Sequence, residues 1–245
     1  MTETNQLQKV RVILLDVDDT LLDFGACSRE AVQSACHQTG IPWTEELFAT
    51  FQEMNAGFWV RIEAGTLTLQ ALWEIRWQRI FDRLGIQGNG PAFETAFHQA
   101  LDVTHVPVEG ALQTVQALKS AGYGVYAASN GRQKQQETRL ELAGLSRWLD
   151  GVFTSEAAGV NKPDIRFYQY VMDQLHQSHP DLVPEQVLMV GDSYTADITG
   201  AHKAGMQTLW FRRDDLPQAD FSRLDELPSI VRCLHKQPDF MRCSI

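Results

Sequence analysis

Val-Arg-Val-Ile-Leu-Leu-Asp-Val-Asp-Asp-Thr, residues 10–20, is the stretch on which the fold turns. A short apolar run rich in β-branched residues ends abruptly in acids. Such a run predicts a strand buried on both faces, as in a parallel sheet. Open α/β sheets bind ligands beyond the carboxyl ends of their strands, and Asp16 and Asp18 fall at that end. Two residues apart in extended chain, their side chains share one side. Close carboxylates repel each other and are tolerated when a cation lies between them or when one keeps its proton. Hard oxygen ligands of this kind suit Mg²⁺. The Asp-x-Asp-x-Thr pattern alone also fits a solvated acidic turn, so the rest of the chain has to decide.

Outward from this stretch, residues 1–9 form a polar leader without the apolar core of a signal peptide. On the other side, from Ser28 to about Thr104, the apolar spacing changes to steps of three and four. Leu47, Phe51, Met54, Phe58 and Trp59 make one such stripe. Leu69, Leu72, Trp73, Ile80 and Leu84 make another, interrupted by Arg76. Ser28 is the expected first helix start. Asp23 reads as a loop residue, and glycines at 65, 85, 88 and 90 punctuate the helices. Residues 23–104 are thus expected to be an inserted helical domain, and residues 1–22 and 105–245 an α/β core.

Within that core, short apolar strands at Val125–Ala128, Val152–Thr154, Val187–Val190 and Thr208–Phe211 alternate with helices. The helices are expected over 109–121, to about Ala143, over Ile165–Leu175 and over Ala196–Ala204. Alternation of this kind predicts βαβ units, a parallel sheet and right-handed crossovers. The carboxyl ends then share one edge, where Asp16 and Asp18, Ser129 and Asn130, Lys162, and Asp192 and Asp197 fall in order. Taken singly, Ser129 and Asn130 make an ordinary turn, Lys162 is a surface lysine, and Asp197 is an acid favoured by a helix start. The tail after Arg232 is weakly patterned.

The chain has 245 residues and a formal net charge of −10. That charge disfavours non-specific binding to nucleic acid or anionic membrane. An anionic substrate then needs local cations, hydrogen-bond donors or metal. Cys27, Cys36, Cys233 and Cys243 form no Cys-x-x-Cys pair and read as free thiols of a reducing, cytoplasmic compartment. No run approaches membrane-spanning length. Cys27 lies just after the acidic motif but lacks an evident histidine partner, and no histidine is given a role.

The four motifs, Asp-Val-Asp-Asp-Thr-Leu (16–21), Ser-Asn-Gly (129–131), Asn-Lys-Pro-Asp (161–164) and Gly-Asp-Ser-Tyr-Thr-Ala-Asp (191–197), resemble those of the haloacid dehalogenase superfamily, chiefly its phosphatases. The resemblance covers roughly residues 9–230. It implies a Rossmann-like parallel sheet with an inserted, mobile helical cap. It implies Asp16 as a nucleophile that becomes an aspartyl-phosphate and Asp18 as the proton donor and later the base. Mg²⁺ would be held by Asp16, Asp192 and the backbone carbonyl of Asp18. Ser129, Asn130 and Lys162 would bind the phosphoryl group. Asp197 would orient Lys162 or the metal's water, and Thr20 would tie down the first loop. Asp19 stays structural, at a position that often holds Gly in the family.

Haloacid dehalogenases themselves typically lack the second acid, so Asp18 favours phosphoryl transfer. Residues 54–68, Met-Asn-Ala-Gly-Phe-Trp-Val-Arg-Ile-Glu-Ala-Gly-Thr-Leu-Thr, and the run Gly-Val-Asn-Lys-Pro at 159–163 resemble the house-cleaning 5′-nucleotidases of pyrimidine and non-canonical nucleoside monophosphates. In the cap, Asn55, Phe58, Trp59 and Arg61 are the candidate substrate contacts, with core packing weighed first for the aromatics. Alternatives are a sugar-phosphate or phosphoglycolate phosphatase, a phosphomutase, a 2-haloacid dehalogenase, and a non-catalytic regulatory module. The expected partner is a small phosphate monoester, the expected state a monomer or homodimer.

Overall fold

A computed structural model describes residues 10–214 and 216–234. The chain divides into two compact units: the first combines the segments before residue 23 and after residue 106, and the second is residues 23–106. The elements in chain order are β1 (Val12–Leu15), α1 (Phe24–Thr39), α2 (Glu45–Glu63), α3 (Leu69–Leu84), α4 (Gly90–Leu101), α5 (Ala111–Ser120), β2 (Gly124–Ser129), α6 (Gln133–Leu142), β3 (Gly151–Thr154), α7 (Ser155–Ala158), α8 (Ile165–Leu175), β4 (Val187–Gly191), α9 (Gly200–Lys203), β5 (Gln207–Trp210) and α10 (Leu227–Leu234). The fold is α/β and Rossmann-like. Residues 1–9, Cys243 and most of the C-terminal tail, read above from sequence, lie outside the described residues.

In the first unit five parallel strands pair in the order β3-β2-β1-β4-β5. Each residue of β1 is fully buried. Alternation splits it between two cores, because successive side chains point to opposite faces. Val12 and Leu14 pack with Phe167, Tyr168, Val171 and Leu175 of α8. Ile13 and Leu15 pack with Val115 and Leu118 of α5 and Val231 of α10. Chain order runs outward from β1 to β3 and then returns to β4 on the other side of β1. The strand order therefore reverses between β1 and β4, where such sheets open a crevice at their carboxyl ends.

The second unit is four helices. Each starts on a side chain that accepts from a backbone N–H three residues on: Asp23 from Ala26, Thr44 from Leu47, Thr68 from Ala71 and Asn89 from Ala92. These caps satisfy donors that a helix start leaves open. The first is a correction to the sequence reading. Asp23, expected in a loop, starts α1, and Ser28 lies buried inside that helix with its hydroxyl donating to Gly25 O. The core stacks Phe51 on Trp77, with Phe93 and Phe97 against the indole. Cys27 and Cys36 belong to the same core. Burial pushes the Cys36 thiol up to about 11. Cys27 Sγ accepts from Val106 N at 3.3 Å, a packing role rather than a nucleophile's.

Two further elements depart from expectation. The helix placed over Ala196–Ala204 begins earlier, as a π-helical turn at Tyr194–Thr199 capped by Ser193, and becomes α-helical only at Gly200. β5 ends at Trp210, one residue short of the expected end; Phe211 N still donates to Gly191 O at 3.0 Å, and Phe211 also bridges with Phe221.

Candidate active site

The carboxyl ends of β1, β2 and β4 deliver Asp16, Ser129 and Asp192 to one edge of the sheet. Lys162, from the loop before α8, reaches the same place. Its ammonium donates to Asp16 Oδ1 at 2.7 Å, Asp197 Oδ1 at 2.6 Å and Ala128 O at 2.7 Å. All three N–H donors of the ammonium are thereby used. Lys162 is 2% exposed, Asp16 6% and Asp197 1%, so the charges meet largely out of water. Carboxylate oxygens of Asp16, Asp192 and Asp197 lie within 4.8 Å of one another.

Three acids share one ammonium. Burial pushes the Asp16 carboxyl up to about 8, with Lys162 pulling the other way. Burial, then the charges of Asp16 and Asp197, raises Asp192 well above the usual carboxylate range. Burial works against the charge of Lys162, but Asp16 and Asp197 outweigh it and raise the amine above its ordinary value. The set is largely buried, made of hard oxygens and short of positive charge, which fits a small divalent cation such as Mg²⁺. Asp197 is already committed, Oδ1 to Lys162 and Oδ2 to Ser193 N at 3.1 Å. Asp16 and Asp192 are the acids left for a cation. A Cβ at Gly191 would lie 2.1 Å from Asp197 Oδ2, so the strand must end in glycine for Asp197 to reach the lysine.

The remaining expected residues take more specific places. Asp18 does not join the carboxylate cluster with its side chain. Its Oδ1 accepts from Arg139 Nη1 at 2.7 Å and its Oδ2 from Gln136 Nε2 at 2.8 Å. Asp18 could thus meet a metal only through its backbone. Ser129 is buried, and its Oγ accepts from Gln136 Nε2 at 2.9 Å and Gly131 N at 3.1 Å. The Asn130 side chain clasps the Lys162 backbone, accepting from its N at 2.7 Å and donating to its O at 3.0 Å. That amide holds the lysine loop, so the expected phosphate contact through it is not what the geometry shows. The Thr20 hydroxyl is buried without a hydrogen bond among the described residues. The first loop is tied instead by Leu21 N and Leu22 N on Val17 O, at 2.9 and 2.8 Å. Asp19 has a φ of 62°, the left-handed conformation that glycine takes without strain. Its carboxylate pairs with Arg213 at 2.8 Å.

In the helical unit, Asn55 is buried and accepts from Arg76 Nη1 at 2.9 Å. Phe58 packs with Ile62 and Leu72, Trp59 lies half-buried against that cluster, and Arg61 is exposed. Gln136 and Arg139, one turn apart on α6, are absent from the sequence reading. Their signal was available: a helix flanked by strands should show an apolar face, yet Gln135, Gln136 and Arg139 fill the buried side of α6 beside Leu140. Among the described residues, no helix is long and apolar enough to cross a membrane.

The family model of the haloacid dehalogenase-like hydrolases matches residues 10–205. The pyrimidine 5′-nucleotidase PynA of Streptococcus pneumoniae is 31% identical over 201 residues, 82% of this chain and 83% of that one. The pyrimidine 5′-nucleotidase YjjG of Escherichia coli is 29% identical over 231 residues, 91% and 98% of the two chains. The crystal structure of YfnB from Bacillus subtilis, bound to magnesium, superposes with a TM-score of 0.84 at 29% identity, covering 91% of this chain and 99% of that one.

Proposed function

The chain belongs to the haloacid dehalogenase-like hydrolases, and from that premise we propose that it is a Mg²⁺-dependent phosphatase acting on nucleoside 5′-monophosphates through a phosphorylated Asp16. The observation that carries the reading is Asp16 at the end of the central strand, its Oδ1 held by Lys162, with a second acid two residues on. Lys162 fixes one oxygen of the nucleophile and leaves the other to attack. Oδ2 of Asp16 forms a bond to phosphorus as the ester oxygen departs. A protonated Asp18 gives that oxygen its proton, and the alcohol leaves. Asp18, now a carboxylate, takes a proton from water as the water oxygen bonds to phosphorus and the Asp16–phosphorus bond breaks. Inorganic phosphate leaves with both carboxyl groups restored. Ser129, which accepts from Gln136 and Gly131, keeps its own hydroxyl proton to donate to a phosphoryl oxygen. Mg²⁺, held by Asp16, Asp192 and the Asp18 carbonyl, would supply positive charge against the substrate's negative charge.

The nucleoside reading is supported by the names of PynA and YjjG and by the stretch at residues 54–68. A panel of nucleoside monophosphates, sugar phosphates and phosphoglycolate, assayed for released phosphate with and without Mg²⁺, tests it. Pyrimidine monophosphates should give the highest kcat/KM, chelator should abolish turnover, and Asp16→Asn should form no phosphoenzyme. Turnover in excess chelator, or by Asp16→Asn at the wild-type rate, would sink the mechanism. Preference for a sugar phosphate would move the substrate class.

A further inference from the structure

Two of the buried polar side chains of α6, one turn apart, reach Asp18, a contact the steps above do not use. Gln136 and Arg139 are each 1% exposed. Arg139 Nη1 donates to Asp18 Oδ1 at 2.7 Å and to Gln136 Oε1 at 3.1 Å. Gln136 Nε2 donates to Asp18 Oδ2 at 2.8 Å and to Ser129 Oγ at 2.9 Å. A Cβ at Gly131 would lie 2.3 Å from Gln136 Nε2, so the second motif carries glycine where this amide crosses it. Burying a guanidinium is costly unless it is paired. A tie needed only to pin the first loop could use backbone bonds, which already do so. These donors end instead on the proton carrier and on the hydroxyl assigned to the phosphoryl group.

We propose that Gln136 and Arg139 are positioning residues for proton transfer by Asp18. The proposal rests on the assignment of Asp18 as proton donor and base. When Asp18 carries the proton, the protonated oxygen becomes the poorer acceptor, so the hydrogen bond donated to that oxygen weakens. A bond from a charged donor is roughly twice as strong as one from a neutral donor. Arg139 therefore keeps Oδ1 as a pivot, and Gln136 yields Oδ2. Oδ2 is the oxygen that hands its proton to the departing ester oxygen and later receives one from water. Gln136 shares its amide between Oδ2 and Ser129 Oγ. The working oxygen is thus held beside the hydroxyl that faces the phosphoryl group.

The test is a series of aryl phosphates graded in leaving-group acidity, from p-nitrophenyl to 4-methylphenyl phosphate, with Mg²⁺. Arg139→Met, Arg139→Lys, Gln136→Met and Asp18→Asn are compared with wild type, each checked for folding by thermal melting. Nitrophenolate departs without a proton and 4-methylphenolate needs one. Loss of positioning should lower kcat/KM for 4-methylphenyl phosphate at least about tenfold more than for p-nitrophenyl phosphate, within the range that general acid catalysis spans. Arg139→Lys should recover part of that difference, and Gln136→Met carries the test if Arg139→Met does not fold. Equal losses along the series in folded variants, with Asp18→Asn still discriminating against the poor leaving group, would overturn the positioning role alone. If Asp18→Asn itself shows no such discrimination, the assignment of Asp18 falls and this proposal falls with it.

Discussion

At the residue scale, the site is a problem of charge and reach. Three acids and one ammonium share a volume largely closed to water, and the arrangement holds because every ammonium proton has an oxygen. Gly191 makes that possible, since any side chain there meets the Asp197 carboxylate at 2.1 Å. Gly191→Ala should therefore force Asp197 away from Lys162 and cost about 1–3 kcal/mol, the usual penalty of overpacking. Urea unfolding of wild type and variant measures it, and an unchanged midpoint would show that the contact relaxes freely. The acids and the lysine were legible in the sequence because each follows a strand or opens a loop at a fixed place in the pattern. The polar face of α6 marked Gln136 and Arg139, but their partner was not legible, because they bond to Asp18 across 118 and 121 residues of chain. Asn130 was legible as a site residue, but its clasp on the Lys162 backbone was not, since sequence order does not say which atoms of a motif meet.

At the scale of elements, the helical unit shows the same split between local pattern and distant partner. Its apolar stripes and Thr or Asn caps are local and readable. Asp23 was missed as a cap because the apolar periodicity starts several residues later, and Ser28 offered a competing start. Arg76, the charged interruption of the α3 stripe, is 3% exposed and joins three helices. Its Nε donates to Glu94 Oε2 at 3.1 Å on α4, and its Nη1 to Asn55 Oδ1 at 2.9 Å on α2. Its guanidinium also stands 4.9 Å from the Phe97 ring centroid. Removing one partner of a buried pair leaves an uncompensated charge and costs about 3–5 kcal/mol, whereas replacing both by apolar groups is often neutral. Arg76→Met should therefore destabilise strongly, and Arg76→Met with Glu94→Leu should recover most of the loss. Calorimetric melting of the two variants checks this. A double variant as unstable as the single one would mean that packing around the ring, not charge, sets the cost.

At the scale of the whole molecule, substrate choice must come from residues outside the catalytic set. Asp16, Asp18 and Ser129 are assigned to the phosphoryl group and to protons, which all phosphate monoesters share, and Lys162, its three donors spent on Asp16, Asp197 and Ala128 O, is not free for the expected phosphoryl contact. A formal charge of −10 makes the chain repel anions at long range, so a cation recognising the rest of a nucleotide should matter more than its small size suggests. The helical unit is the large part of the chain without assigned chemistry. Of its four candidates, Asn55 and Phe58 are spent on internal packing. Arg61 is exposed and Trp59 half-buried, so these two are the candidates to test against a nucleoside. Arg61→Ala and Trp59→Ala should each lower kcat/KM for nucleoside monophosphates at least about tenfold more than for p-nitrophenyl phosphate. One lost charge-assisted hydrogen bond or base-stacking contact, at about 1.5–3 kcal/mol, accounts for that ratio. Arg61 is the cleaner probe, because Trp59 also covers Phe58 and Leu72 and its removal should lower the melting temperature as well. Equal losses on both substrates in a folded Arg61→Ala protein would show that this stretch does not read the nucleoside, and sugar phosphates would become the substrates to test first.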